Sequence, residues 1–138
     1  MALSPAASAT LAKWHAMLGS RDLTPLTALV APQAVLRSPM RHTPYEGGMM
    51  VVVILNAVFT VFEDFEYARV FEAGSNDVVL EFSARVGDKQ LKGIDMIKFD
   101  DEGKIVDFEV MIRPASALMA LGEVMGRKLA ATSGNGAQ

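Results

Sequence analysis

The chain has 138 residues, 51% of them hydrophobic and 21% charged, enough for one domain with a substantial core and too apolar for disorder. Its 13 basic and 16 acidic residues are spread along the chain, for a net charge of -3, so no basic stripe marks a nucleic-acid surface. The absence of cysteine excludes a disulfide framework, a thiolate metal site and a thiol nucleophile. Two histidines, His15 and His42, are too few for most histidine-based metal centres, so neither a metal nor a cofactor is expected.

From the N-terminus, Met1 to Leu11 lacks the basic start and continuous apolar run of a secretory signal. Ser4-Pro5 instead has the form of a helix start, a capping hydroxyl followed by a proline in the first turn. Leu11, Trp14, His15 and Leu18 continue with helical spacing, and Gly19 is expected to end the helix. Thr24-Pro25 repeats the start signal before a short helix that Pro32 is expected to close. Ala34 to Ser38 predicts a short strand, and Pro39 to Gly48 a loop containing His42, Tyr45 and Glu46.

Met49 to Phe62 carries valines that favour strand, but Val51, Ile54, Leu55, Val58 and Phe62 form a helical stripe, which predicts a buried helix. It is interrupted by Asn56 and Thr60 and falls short of the roughly 20 residues that span a bilayer, so no membrane partner is expected. The expectation is a soluble cytoplasmic protein.

Phe65 to Phe71 alternates as a strand with Phe65, Tyr67, Arg69 and Phe71 on one face. After a turn at Gly74-Ser75-Asn76-Asp77, Val78 to Val86 places Leu80, Phe82, Ala84 and Val86 on one face and Val79, Glu81, Ser83 and Arg85 on the other. Gly87-Asp88 is a two-residue hairpin turn. Lys89 to Pro114 then reads as two long strands joined at Asp100-Asp101-Glu102-Gly103. Leu91, Gly93, Asp95, Ile97 and Phe99 share a face of the first strand; Val106, Phe108, Val110 and Ile112 share a face of the second. Leu118, Leu121, Val124 and Met125 mark a C-terminal helix, followed by a frayed tail at 131–138. The whole reads as one α+β domain over 1–138, with helices on one face of a mostly antiparallel sheet.

Asp95 is the one charged group on an otherwise apolar strand face. An ionised carboxylate is costly to bury without partners, so such a group finds partners, takes up a proton or opens onto a cavity. With apolar strand neighbours and Lys92 and Lys98 on the opposite face, its pKa is expected above the usual value of about 3.9.

The segments AMLGSRDL (Ala16 to Leu23), Ala34 to Gly47 with its Ser38-Pro39, and GIDMIKFDDEGKIVDFEV together resemble the NTF2-like superfamily, in the branch of SnoaL-like proteins and ketosteroid isomerases. The resemblance covers roughly Leu11 to Ile112. It implies a cone, a strongly curved sheet wrapped around helices, with a hydrophobic pocket for a small hydrophobic ligand, and often a homodimer. The pocket walls are then expected to include Leu36, Tyr45, Val58, Leu80, Phe82, Ile97, Phe108, Val110 and Ile112. In the isomerase branch a carboxylate before a proline is the base, while a first-helix tyrosine and a protonated aspartic acid bind the substrate oxyanion. Carried onto this chain, the protonated acid falls on Asp95, the tyrosine on Trp14 and the base on Ser38. An indole N–H can still donate. A serine hydroxyl takes no proton at neutral pH without its own base. Ketosteroid isomerisation by the family mechanism is therefore not expected. The epoxide hydrolases of the superfamily use two aspartates bridged by an arginine, and Gly93 stands where that arginine would be.

Asp95, Trp14, Ser38 and His42 are thus the candidate catalytic residues, with His42 on the loop rimming the pocket. Two readings stay open: an enzyme performing acid–base chemistry on a hydrophobic carbonyl compound, and a non-catalytic pocket or dimerisation module. A homodimer is expected through the outer sheet face, where Val79, Ile94, Met96, Ile105 and Met111 lie among Glu81, Arg85, Lys92, Glu109 and Arg113.

Overall fold

The computed structural model describes residues 2–134, with side chains through 131. Helix α1 (Pro5–Ser20) is capped as its sequence predicts: the Ser4 hydroxyl accepts the Ala7 N–H at 3.1 Å, and proline opens the first turn. It ends one residue past Gly19, and Arg21 rather than a glycine takes the left-handed cap at φ 59°. A single turn, α2 (Leu26–Leu29), passes directly into β1 (Val30–Arg37). Pro32 therefore does not close a helix but lies inside the strand. It falls where pairing with the neighbouring strand is interrupted, between Val30 and Val35, so its missing N–H breaks no ladder bond there.

The expected loop contains a two-residue strand, β2 (Tyr45–Glu46), paired with β1. Next comes α3 (Gly48–Val61), confirming helix over strand for the valine-rich segment. The meander is β3 (Glu63–Glu72), β4 (Asp77–Val86), β5 (Lys89–Phe99) and β6 (Ile105–Arg113). The last helix, α4 (Ala115–Gly134), continues through 131–134, where the sequence predicts a frayed tail; 135–138 lie outside the described residues. One six-stranded sheet runs in the order β2-β1-β6-β5-β4-β3, curved but not closed. All neighbours are antiparallel except β1 and β6. The fold is α+β, with Trp14 and Leu11 from α1, Val51 and Leu55 from α3, and Leu80, Ile97 and Phe108 from the sheet in one core. A second cluster joins Phe62, Phe82 and Leu91 to Leu121 of α4. No described helix is long and apolar enough to cross a membrane.

Strict alternation fails where the ladders carry bulges, and one in β3 and one in β6 matter here. In β3, Tyr67 pairs with Phe82 but Val70 with Leu80, so three steps on one strand oppose two on the other. Phe65 and Tyr67 consequently face inward, while Arg69 reaches Glu81 at 2.6 Å on the outer face and Phe71 stays exposed. In β6, Lys98 pairs with Asp107 but Phe99 with Ile105, leaving Val106 as the extra residue. Ile105 is therefore fully buried in the core and does not belong to the outer face.

Gly93 occupies a site with no room for a side chain. A Cβ there would lie 2.5 Å from the Met111 carbonyl oxygen and 2.6 Å from Cζ of Phe82. An arginine at this position is sterically excluded. Gly93→Ala is expected to destabilise the domain by about 2–3 kcal/mol, as overpacking does. Urea denaturation measures this, and a change below about 0.5 kcal/mol would mean that the sheet relaxes around the methyl group.

Candidate functional site

Asp95 sits in mid-β5, opposite Leu80 of β4 and Val110 of β6, and is only 3% exposed. The inward turn of β3 brings Tyr67 over it, and the Tyr67 hydroxyl donates to Asp95 Oδ2 at 2.6 Å. Behind Tyr67, Trp14 Nε1 donates to the same phenol oxygen at 2.9 Å. The order of these bonds has one direction. An indole N–H can only donate, so Tyr67 must accept from Trp14 and spend its single proton on Asp95. Oδ2 is thereby held as an acceptor.

The other oxygen, Oδ1, has no hydrogen-bond partner among the described residues. No fully buried side-chain oxygen or nitrogen among the described residues lacks a partner, so Oδ1 opens into the cavity that Asp95 lines. Burial pushes the Asp95 carboxyl up to about 7, opposed in part by the Tyr67 hydrogen bond, which favours the charged form. Burial first, then the charge of Asp95, hold the Tyr67 phenol well above its ordinary range, so it remains a donor. When Asp95 takes up a proton, Oδ2 is already engaged as acceptor, and the proton resides on Oδ1, facing the cavity.

That cavity measures about 240 Å³. Its walls come from β1, β2, β5, β6, α3 and α4, and its polar side chains among the described residues are Ser38, Tyr45 and Asp95. Six of the predicted wall residues line it: Leu36, Tyr45, Val58, Phe108, Val110 and Ile112. Leu80, Phe82 and Ile97 do not; each is at most 2% exposed and packed within the core beneath. Trp14 does not reach the cavity either, since Tyr67 stands between the indole and Asp95. Its N–H is spent on the Tyr67 hydroxyl, one bond behind Asp95. His42 is exposed and borders a shallow outer groove instead of the cavity. Ser38 lines the cavity, but its Oγ accepts the Met40 N–H at 3.0 Å and serves the turn. Among the described residues no cluster of three potential metal ligands occurs.

Sequence reasoning missed Tyr67, because alternation placed it with Arg69, and the bulge that separates them depends on the partner strand. It also missed the contribution of α4, whose Leu121, Met125 and Gly126 form one wall, and Met40 at the rim. His15 packs edge-on against Tyr67 at 5.3 Å between ring centres, and burial lowers its pKa, so it backs the phenol as a neutral ring.

The raised pKa of Asp95 has a defined consequence for stability. The folded value near 7 exceeds the unfolded value of about 3.9, so ionisation opposes folding. The penalty is absent below about pH 4, grows up to about pH 7 and is level above. Asp95→Asn escapes it and should gain a few kcal/mol over the natural chain between pH 4 and pH 8, read from urea denaturation at both. A pH-independent difference would mean that the carboxyl titrates normally. Tyr67→Phe, which removes the bond favouring the carboxylate, should move the Asp95 carboxyl-carbon NMR titration upward; an unchanged midpoint would deny the coupling.

With this geometry in place, comparison with known proteins locates the chain. Residues 11–108 match the family described as a SnoaL-like domain. The crystal structure of a steroid delta-isomerase from Pseudomonas aeruginosa superposes with a TM-score of 0.92 at 60% identity, over 94% of this chain and 96% of that one. An uncharacterised protein with a cystatin-like fold from Silicibacter pomeroyi gives 0.80 at 31% identity, over 86% and 84%. An NTF2-like protein of unknown function from Mesorhizobium loti gives 0.70 at 17% identity, over 80% and 93%, a likeness of fold alone. No curated protein sequence matches. The SnoaL-like match over most of the chain establishes that this protein belongs to the SnoaL-like family, with a fold it shares with NTF2-like proteins.

Proposed function

We propose that the protein binds a small, mainly apolar carbonyl compound and polarises its oxygen with the protonated carboxyl of Asp95. One observation carries this reading. A single ionisable acid lies at the inner end of an apolar cavity, with one oxygen held by Tyr67 and the other facing the space a ligand would fill. In its neutral form that oxygen is a hydrogen-bond donor, and its natural complement in an otherwise apolar ligand is a carbonyl oxygen. The steroid delta-isomerase name of the Pseudomonas aeruginosa neighbour agrees with such a ligand. Polarisation draws a ketone toward its enol, but completing that step needs a base to remove the α-proton. The cavity offers Ser38 at the family's base position, with its hydroxyl tied to a backbone N–H. That feature favours, as the second reading, binding without turnover.

Binding of the bicyclic ketone 1-tetralone and its hydrocarbon tetralin, measured from pH 5 to 9, tests the proposal. The ketone should be preferred by roughly fivefold below pH 7, the yield of about one neutral hydrogen bond. The preference should fade above pH 7, as Asp95 ionises, and vanish in Asp95→Ala. Equal binding of ketone and hydrocarbon at pH 5 would refute it.

A kinetic prediction accompanies this one. The natural chain should not isomerise a 5-ene-3-ketosteroid above the solution background. Ser38→Asp places a carboxylate on the same cavity wall and should raise the rate by roughly 100-fold, the lower range for a positioned general base. Isomerisation by the natural chain that survives Ser38→Ala would point to a different base.

A further inference from the structure

Tyr67 also lines a second cavity, of about 340 Å³, in which Asp95 takes no part. The two cavities share Phe59 and Phe62, so these rings stand between them. One half of the second cavity is aromatic. Phe65 meets Phe59 at 5.0 Å and Tyr67 at 4.9 Å between ring centres, both edge-on. The Tyr67 hydroxyl is committed to Asp95 and Trp14, so Tyr67 offers only ring surface here.

The other half presents acceptors. Asn56 and Thr60 stand one turn apart on α3 and share a face. Thr60 donates its single hydroxyl proton to the Ala57 carbonyl at 2.6 Å, which leaves Oγ1 an acceptor. Asn56 Nδ2 donates to the Val52 carbonyl at 2.9 Å, and Oδ1 has no partner among the described residues. The Glu66 carboxylate of β3 joins them with no ion pair among the described residues. Two helix ends act in the same sense. Leu18 and Gly19 belong to the last turn of α1 and Thr60 to the last turn of α3, and neither turn carries a basic residue. Helix C-termini carry partial negative charge, which favours a cation. Arg21, the exposed cap of α1, also lines the cavity, but it pairs with neither Glu66 nor any other described carboxylate, so the acceptors of α3 and β3 stay unmatched.

We infer that this cavity is a second binding site, for a small primary ammonium carried on an aromatic body, the arylethylamine class. The ring lies against Phe59, Phe65 and Tyr67, where aromatic faces attract both a ring and an adjacent cation. The ammonium, with three donors and no acceptor, meets Asn56 Oδ1, Thr60 Oγ1 and the Glu66 carboxylate. An anion of the same shape meets these oxygens and both helix ends with the wrong sign. The site is independent of carbonyl binding at Asp95.

The test is an amide NMR titration of the natural chain at neutral pH with 2-phenylethylamine, the neutral 2-phenylethanol and the anionic 3-phenylpropanoate. The amine should bind about fivefold more tightly than the alcohol, and the carboxylate more weakly than either. Shifts should centre on Gly19, Asn56, Thr60 and Glu66 and spare Val110 and Leu121 of the first cavity. Glu66→Gln, at an exposed position, should weaken the amine by about threefold and leave the alcohol unchanged. Equal affinity for all three compounds, preference for the carboxylate through Arg21, shifts centred on Val110 and Leu121, or no saturable amine binding at millimolar concentration would each overturn the assignment.

Discussion

The site depends on one constraint: a carboxyl group buried in the apolar face of a sheet with only one of its oxygens satisfied by the protein. Desolvation drives Asp95 toward its neutral form, and a hydrogen bond from Tyr67 limits how far it goes. The indole of Trp14 orients that bond, because it leaves Tyr67 a single direction in which to donate. Three residues on a helix and two strands thus determine which carboxyl oxygen is engaged and which faces the cavity. Removing the most distant, Trp14, would free the phenol to turn, and the order of the chain would be lost although Asp95 had not moved.

The sheet supports this arrangement through register. Gly93, two residues before Asp95, leaves room for the Phe82 ring, which stacks on Phe65 at 5.1 Å between centres. Phe65 in turn meets Tyr67 edge-on at 4.9 Å. The phenol is therefore held by packing as well as by its hydrogen bonds, and the bulge in β3 is what allows both rings to face inward before Arg69 turns out.

Much of this was legible in the residues themselves. Two-residue alternation over Leu91 to Phe99 located Asp95 on the buried face and ordered β4, while the helical stripe from Val51 to Phe62 distinguished α3 as a helix. Alternation failed where an extra residue entered a ladder, because a bulge is a property of two strands and only one is visible at a time. Ile105 and Tyr67 were misplaced for this reason. The helical spacing of Trp14 correctly turned its ring inward, but how far the indole reached depended on Tyr67 lying in its way. The apolar stripe of α4 was equally visible, whereas the cavity it lines is set by α3 and the sheet. Leu80, Phe82 and Ile97 share the face of Asp95, yet depth beneath that face separates wall from core.

Two acids on adjacent strands divide the sheet by charge. Glu81, one residue on from the Leu80 that faces Asp95, points to the outer side. There it is gripped by Arg69 at 2.6 Å and Lys92 at 2.7 Å, and these partners, Arg69 foremost, hold its carboxyl down at about 2. Glu81 therefore keeps its charge in mild acid, while Asp95 has already shed its own. A formal charge of -3 assumes that both are ionised at neutral pH. Below pH 7 the folded chain carries up to one negative charge fewer than its residue count implies. Folding between about pH 4 and pH 7 should therefore take up a proton at Asp95 on the inner face and none at Glu81 on the outer one.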